Sequence, residues 1–132
     1  MEPKFRCGTR KAMDELSEEL NIPHDSSMQD WSYTEGNPED IEQYILHYRL
    51  TEDEDKKFIL MEFIIQATED QSTEELFVKY CERIKPILET DFKLHEYTIH
   101  YWACWDNENI EDCWRISPLM RQIWTDNILT ND

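Results

Sequence analysis

The chain reads as an all-α protein, a compact single domain (residues 1–132) of about five to six helices. Three observations carry that expectation. Glycine occurs only at Gly8 and Gly36, and valine only at Val78 against thirteen isoleucines, so tight hairpins and glycine-dependent ligand loops are scarce. Helix-start signals recur along the chain, and the apolar residues behind them repeat with a period of about 3.6 residues. At 132 residues the chain is the size of one ordinary domain with one core, and its five tryptophans and six tyrosines offer large surfaces to bury.

Thr9 to Leu20 is the first helical candidate. Residues 21–37, with Pro23, Ser26, Ser27, Ser32 and Gly36, form the longest stretch without helical period, and a loop of that length is often functional. Trp31 and Tyr33 lie in it beside Asp30 and Glu35. Trp31 either pins the loop to the core or stands as an exposed aromatic anchor ringed by acid.

Asn37-Pro38-Glu39-Asp40 puts a capping side chain before a proline at the first helical position, with acids in the first turn where the helix dipole favours them. The helix that follows carries Ile41, Tyr44, Ile45 and Tyr48 on one face. Thr51-Glu52-Asp53-Glu54 has the form of a capping box, and Phe58 to Ala67 behind it is apolar around nearly its whole circumference, as in a central helix covered on several sides. The alternative for residues 58–67 is a buried strand, which would make the fold α+β.

Ser72-Thr73-Glu74-Glu75 is a second box, followed by a stripe of Leu76, Phe77, Tyr80, Cys81, Ile84 and Leu88. Pro86 predicts a kink or an end near Lys85. Thr90 or Asp91 caps the next helix, with Leu94, Thr98, Tyr101, Trp102 and Trp105 assigned to one face; Asp106 to Asn109 is a polar turn. Ser117-Pro118 opens the last helix, with Leu119, Met120, Ile123 and Trp124 inward. A faint echo at offsets of 34 to 36 residues, such as Phe58, Leu60, Glu62 and Phe63 against Phe92, Leu94, Glu96 and Tyr97, is what two stacked helical hairpins would produce.

Charge is concentrated. Residues 14–55 hold fourteen acidic residues and one basic one, Arg49, within a formal net charge of −17. Such a field draws cationic partners and speeds their association, while it repels nucleic acid and anionic lipid. Thirteen basic residues scattered among thirty acids exclude phosphate-directed nucleic-acid binding, and membrane attachment fails for the same reason.

Catalytic and cofactor chemistry is not expected. His95 and His100 are separated by five residues, about 140° apart on an ideal wheel, so they do not share a face as a zinc pair must, and both are assigned to surface or partner-bonded positions. Glu52-Asp53-Glu54-Asp55 lacks the turn glycine and closing glutamate of a calcium loop, and Cys104 and Cys113, nine apart, match no zinc spacing. Nucleophile elbows, phosphate loops and dinucleotide fingerprints are missing. Cys7, Cys81, Cys104 and Cys113 are expected as reduced thiols, because the N-terminal segment has no apolar export core and a cytoplasmic address follows.

These features point to a non-catalytic acidic protein whose partner is a cationic protein surface. Its most concrete form is an immunity-type inhibitor covering the basic cleft of a toxin or nuclease. The alternatives are a helical scaffold or regulatory subunit with no dedicated use for charge, and a nucleic-acid mimic. The residues assigned to partner binding are Asp30, Trp31, Glu35, Glu52, Asp53, Glu54, Asp55 and Trp105; no metal or cofactor site is assigned. Trp102, Trp105, Trp114 and Trp124 read first as core, with Trp105 and Trp114, either side of the polar turn, as candidates for a recognition surface.

Overall fold

In a computed structural model of the protein, residues 2–22 and 36–130 are described, the last two of them as backbone. Among the described residues the regular structure is six α-helices and two 3-10 turns, with no strand. The chain groups into two compact units, Cys7–Gln71 and a second formed by Ser72–Asp132 with Met1–Arg6. No helix among the described residues is long and apolar enough to cross a membrane.

The unit Cys7–Gln71 holds α1 (Arg10–Leu20), α2 (Ile41–Leu50) and α3 (Glu54–Glu69). Thr9 starts α1 by accepting a hydrogen bond from the Ala12 amide at 3.2 Å. Asn21 ends it in the left-handed region (φ 56°), where the Asn21 and Ile22 amides return to Glu18 and Ser17 carbonyls, a closure more often built on glycine. Asn37 caps the 3-10 turn Pro38–Asp40 that leads into α2, its Oδ1 taking the Glu39 amide at 3.0 Å and its own amide donating to the Tyr44 hydroxyl at 2.9 Å. Ile41, Tyr44, Ile45 and Tyr48 are buried, as their spacing predicts.

Helix α3 is the centre of this unit. It packs against α1, α2 and the 3-10 turn, and Phe58, Ile59, Leu60, Met61, Phe63, Ile64 and Ile65 are all essentially inaccessible. Residues 58–67 are therefore helix, and the strand alternative is discarded. The cap is Asp53 rather than Thr51: Asp53 Oδ1 takes the Asp55 and Lys56 amides at 2.9 and 3.3 Å, while Thr51 Oγ1 accepts from the Asp53 amide at 3.3 Å and shapes the turn before the helix. An anionic acceptor at the positive end of the helix dipole outcompetes a neutral hydroxyl. Gly8 lies so close to α3 that a Cβ there would stand 2.6 Å from Ile59 Cγ1, and buried Ile59 has no room to yield.

The second unit holds α4 (Glu74–Thr90), α5 (Phe92–Ala103) and α6 (Ser117–Thr130). Thr73 caps α4 through the Leu76 amide at 3.1 Å, one residue later than the Ser72 box implies, so a leucine and not a glutamate occupies the reciprocal position. Pro86 does not end α4. It sits on the exposed side while Ile84 and Leu88 are fully buried, and that packing holds the helix through to Thr90. Asp91 alone separates α4 from α5.

On α5 the buried face runs through Phe92, His95, Ile99, Trp102 and Ala103 together with Thr98. The predicted face was rotated, because it took Tyr101 and Trp105 as inward: Tyr101 is 47% exposed and Trp105 lies beyond the helix end at 43%. His95, assigned to a surface or partner-bonded position, is wholly buried. It follows Phe92 by one turn and precedes Ile99 by another, so the 3.6-residue stripe that starts at Phe92 carries it inward. Helix α5 packs most extensively on α6, where Met120, Ile123 and Trp124 are buried and the Ser117 hydroxyl donates to the Trp102 carbonyl at 2.7 Å. The Trp124 ring stacks at 5.7 Å from Phe92 and 4.9 Å from His100, whose pKa burial lowers.

Candidate functional site

Helix α1 and the start of α3 bring some of the acids of the first half together in the unit Cys7–Gln71. On α1, Asp14 and Glu18 fall on the side away from buried Ala12 and Leu16, whereas Glu15 and Glu19 flank the buried face and so reach α3. Lys56, in the first turn of α3, reaches Glu15 Oε2 at 3.0 Å and Glu19 Oε2 at 2.5 Å. His47 Nε2 of α2 meets Glu19 Oε1 at 2.6 Å. The four residues before Lys56 are acids: Glu52, the cap Asp53 and Glu54 are exposed, and Asp55 is half-buried and engaged within the fold. Two carboxylates one helical turn apart on α1 thus hold a lysine 37 residues beyond Glu19 in sequence that is itself only 15% exposed.

This clasp is partly neutralised from within. The Lys56 hydrogen bond holds the Glu19 carboxyl below its ordinary value against the opposing effect of burial, with His47 adding to the lowering. Glu19 and Glu15 together hold Lys56 above its ordinary value. A depressed carboxylate stabilises the fold above its unfolded value of 4.5, and that contribution is lost as pH falls through the lowered folded value. The lysine contribution runs the other way, complete below 10.5 and lost as pH rises beyond it. Because Glu19 retains a third of its side-chain exposure, solvent screening limits the effect. Glu19→Gln is expected to lower stability at pH 7 by about 0.3–1 kcal/mol, and chemical denaturation at stepped pH should show the difference closing below the usual carboxylate range.

Helix α2, whose His47 joins the clasp, leaves two leucines in water. Leu46 is 58% and Leu50 73% exposed. They are one turn apart on the face opposite the Ile41–Tyr48 stripe, with His47 next to one and Glu52 two residues beyond the other. An exposed apolar pair results at the end of α2 that precedes the acidic segment 52–55. Neither leucine was assigned to binding from the sequence, although the wheel of α2 places both opposite its buried face. Lys57 caps the neighbouring surface, its Nζ 5.3 Å from the Tyr48 ring centroid.

The remaining assigned residues fall elsewhere. Asp30, Trp31 and Glu35 lie outside the described residues. Trp105 belongs to the second unit, where the Arg121 guanidinium covers its ring at 4.9 Å. Arg121 also ties down the end of α5, donating through Nε to the Ala103 carbonyl at 2.7 Å and through Nη2 to the Cys104 and Asn107 carbonyls at 2.8 and 3.1 Å. Near it, half-exposed Tyr101 and Trp114 stack with centroids 5.4 Å apart, and Trp114 rests 4.6 Å from buried Trp102. Among the described residues no group of three His, Cys, Asp or Glu side chains converges as metal ligands would. No family model, curated protein or solved structure matches the chain.

Proposed function

We propose that the protein is a non-catalytic binding module that docks a cationic protein surface on the end of the unit Cys7–Gln71 where α1, α2 and α3 meet. The observation that carries this reading is that α2, which exposes Leu46 and Leu50, is tied through His47 to Glu19, and Glu19 with Glu15 to Lys56 in the first turn of α3. Charge and apolar surface divide the work. The acids attract and orient a basic partner over distances of a Debye length, about 8 Å at physiological salt. The leucines then lose water on contact, each worth about 1.5–3 kcal/mol when fully buried. Lys56 and His47 hold Glu15 and Glu19 in fixed positions, so less side-chain entropy is lost on binding than mobile carboxylates would lose.

An inhibitor that covers the basic cleft of a toxin or nuclease inside the cell is the concrete form of this function, and four free thiols support the intracellular address. The stacked pair Tyr101 and Trp114 supports a second reading, a scaffold that binds through aromatic surface.

The two readings separate by amide chemical-shift mapping of the full chain against an amphipathic lysine–leucine peptide at low ionic strength. Docking at the acidic end perturbs the segments 15–20 and 46–56. Perturbations centred on Tyr101, Trp105 and Trp114, or none at all, overturn it.

A further inference from the structure

Of the four free thiols, two stand together. Cys104 closes α5 in the left-handed region (φ 62°), and Cys113 follows the 3-10 turn Ile110–Asp112. The loop between them folds back so that Cys113 Sγ faces the Cys104 carbonyl at 3.6 Å and the Asn109 carbonyl at 3.7 Å. Arg121 Nη2 donates to Cys113 Sγ at 3.5 Å from the same guanidinium that anchors the loop carbonyls. Both cysteines keep partial exposure, so a small reagent reaches them.

We propose that Cys104 and Cys113 are a reversible redox site, closing to an intramolecular disulfide by exchange with a low-molecular-weight disulfide and reopening with excess thiol. The Cys113 thiolate attacks one sulfur of the reagent; the reagent S–S bond breaks, and its other half leaves as a thiolate that takes up a proton. Cys104 then gives its proton to solvent and attacks Cys113 Sγ, expelling the second half of the reagent as thiol. Two protein thiols are oxidised and one reagent disulfide is reduced to two thiols.

The order follows from the surroundings. The neighbouring Cys113 thiol, with burial, pushes the Cys104 thiol up to about 11, which leaves it protonated while Cys113 reacts. The closed form leaves no buried acceptor unmet: the Cys104 carbonyl keeps its Arg121 donor, and the Asn109 carbonyl stands at the exposed side of the loop, where water replaces the lost thiol. Folding holds Cys113 Sγ 3.6 Å from the backbone carbonyl of Cys104 before any oxidant arrives, which raises the effective concentration of the two thiols above that of a flexible loop of the same length.

The experiment is equilibration of the full chain in graded mixtures of oxidised and reduced glutathione, followed by rapid alkylation, tryptic digestion and mass spectrometry. Cleavage after Lys93 and Arg115 places Cys104 and Cys113 on one peptide, free of Cys7 and Cys81. The expected result is loss of both alkylation sites together, the peptide lighter by two hydrogens, with an equilibrium constant about tenfold or more above that of the same chain unfolded in urea. Cys104→Ser should accumulate a stable glutathione adduct on Cys113, and Cys113→Ser one on Cys104, since neither variant has a second thiol here to resolve it. Should either variant fail to fold, the wild-type comparison with urea decides alone. Separate glutathione adducts on the two sulfurs of the native chain, or a constant unchanged by unfolding, overturn the proposal.

Discussion

Replacing Phe63 by alanine is expected to remove about 3–5 kcal/mol of folding stability from the unit Cys7–Gln71. Phe63 is fully buried at the middle of α3, and its ring lies 5.4 Å from that of Tyr44, itself buried on α2. Truncation deletes the aromatic pair and opens a cavity walled by the isoleucines of the same helix, whose neighbours on three sides prevent collapse into it. A domain of this size has about 5–15 kcal/mol in total, so the variant stands close to unfolding. Urea denaturation followed by far-ultraviolet circular dichroism measures the loss. Val78→Ala, at a position 45% exposed on α4, is the control and should change stability by no more than about 0.5 kcal/mol. A loss under about 1 kcal/mol for Phe63→Ala would mean that α3 is not the centre of its unit.

The second large effect is kinetic. Glu52→Gln, Asp53→Asn, Glu54→Gln and Asp55→Asn together remove four negative charges from the α3 N-terminus while preserving shape, and asparagine at 53 still caps the helix. Stopped-flow association with the lysine–leucine peptide at low salt should slow by roughly 10–100-fold, with a much smaller change in the dissociation rate. The gap should close at high salt, because the Debye length contracts from about 30 Å at 0.01 M to about 3 Å at 1 M. Leu46→Ala with Leu50→Ala should show the reverse pattern, faster dissociation with association little changed, since apolar contact forms after encounter. Slowing that is independent of salt, or that lies wholly in dissociation, contradicts electrostatic steering by this segment.

Helix placement was legible because its signals are local. Thr9, Asn37 and Thr73 all cap helices within one residue of the expected start, and the stripe Ile41, Tyr44, Ile45, Tyr48 is buried as its period requires. What failed was competition between adjacent local signals: Asp53 displaced Thr51 as cap, and packing at Ile84 and Leu88 overrode Pro86. The face of α5 was misjudged because tryptophan and tyrosine satisfy an inward or a half-exposed position equally well by composition, whereas the stripe from Phe92 through His95 to Ile99 decides the matter. At the candidate site, the exposed acids Glu52, Asp53 and Glu54 were legible from charge alone. The Lys56 clasp on Glu15 and Glu19 was not, since a pair 37 residues apart depends on how α1 packs on α3 and leaves no periodic trace. Leu46 and Leu50 left a trace on the wheel of α2, but exposed leucines are common enough that the wheel alone gives them no meaning.

The account stands on the carboxylates of α1 and the α3 N-terminus acting as one face. Carbodiimide coupling of the lysine–leucine peptide to the full chain, read by mass spectrometry, tests this most directly, because each amide bond records a carboxylate that touched a lysine of the probe. The account predicts bonds concentrated at Glu18, Glu52 and Glu54 and lost at high salt. Bonds spread in proportion over all thirty acids of the chain, or gathered at the acids of residues 106–112, would contradict it.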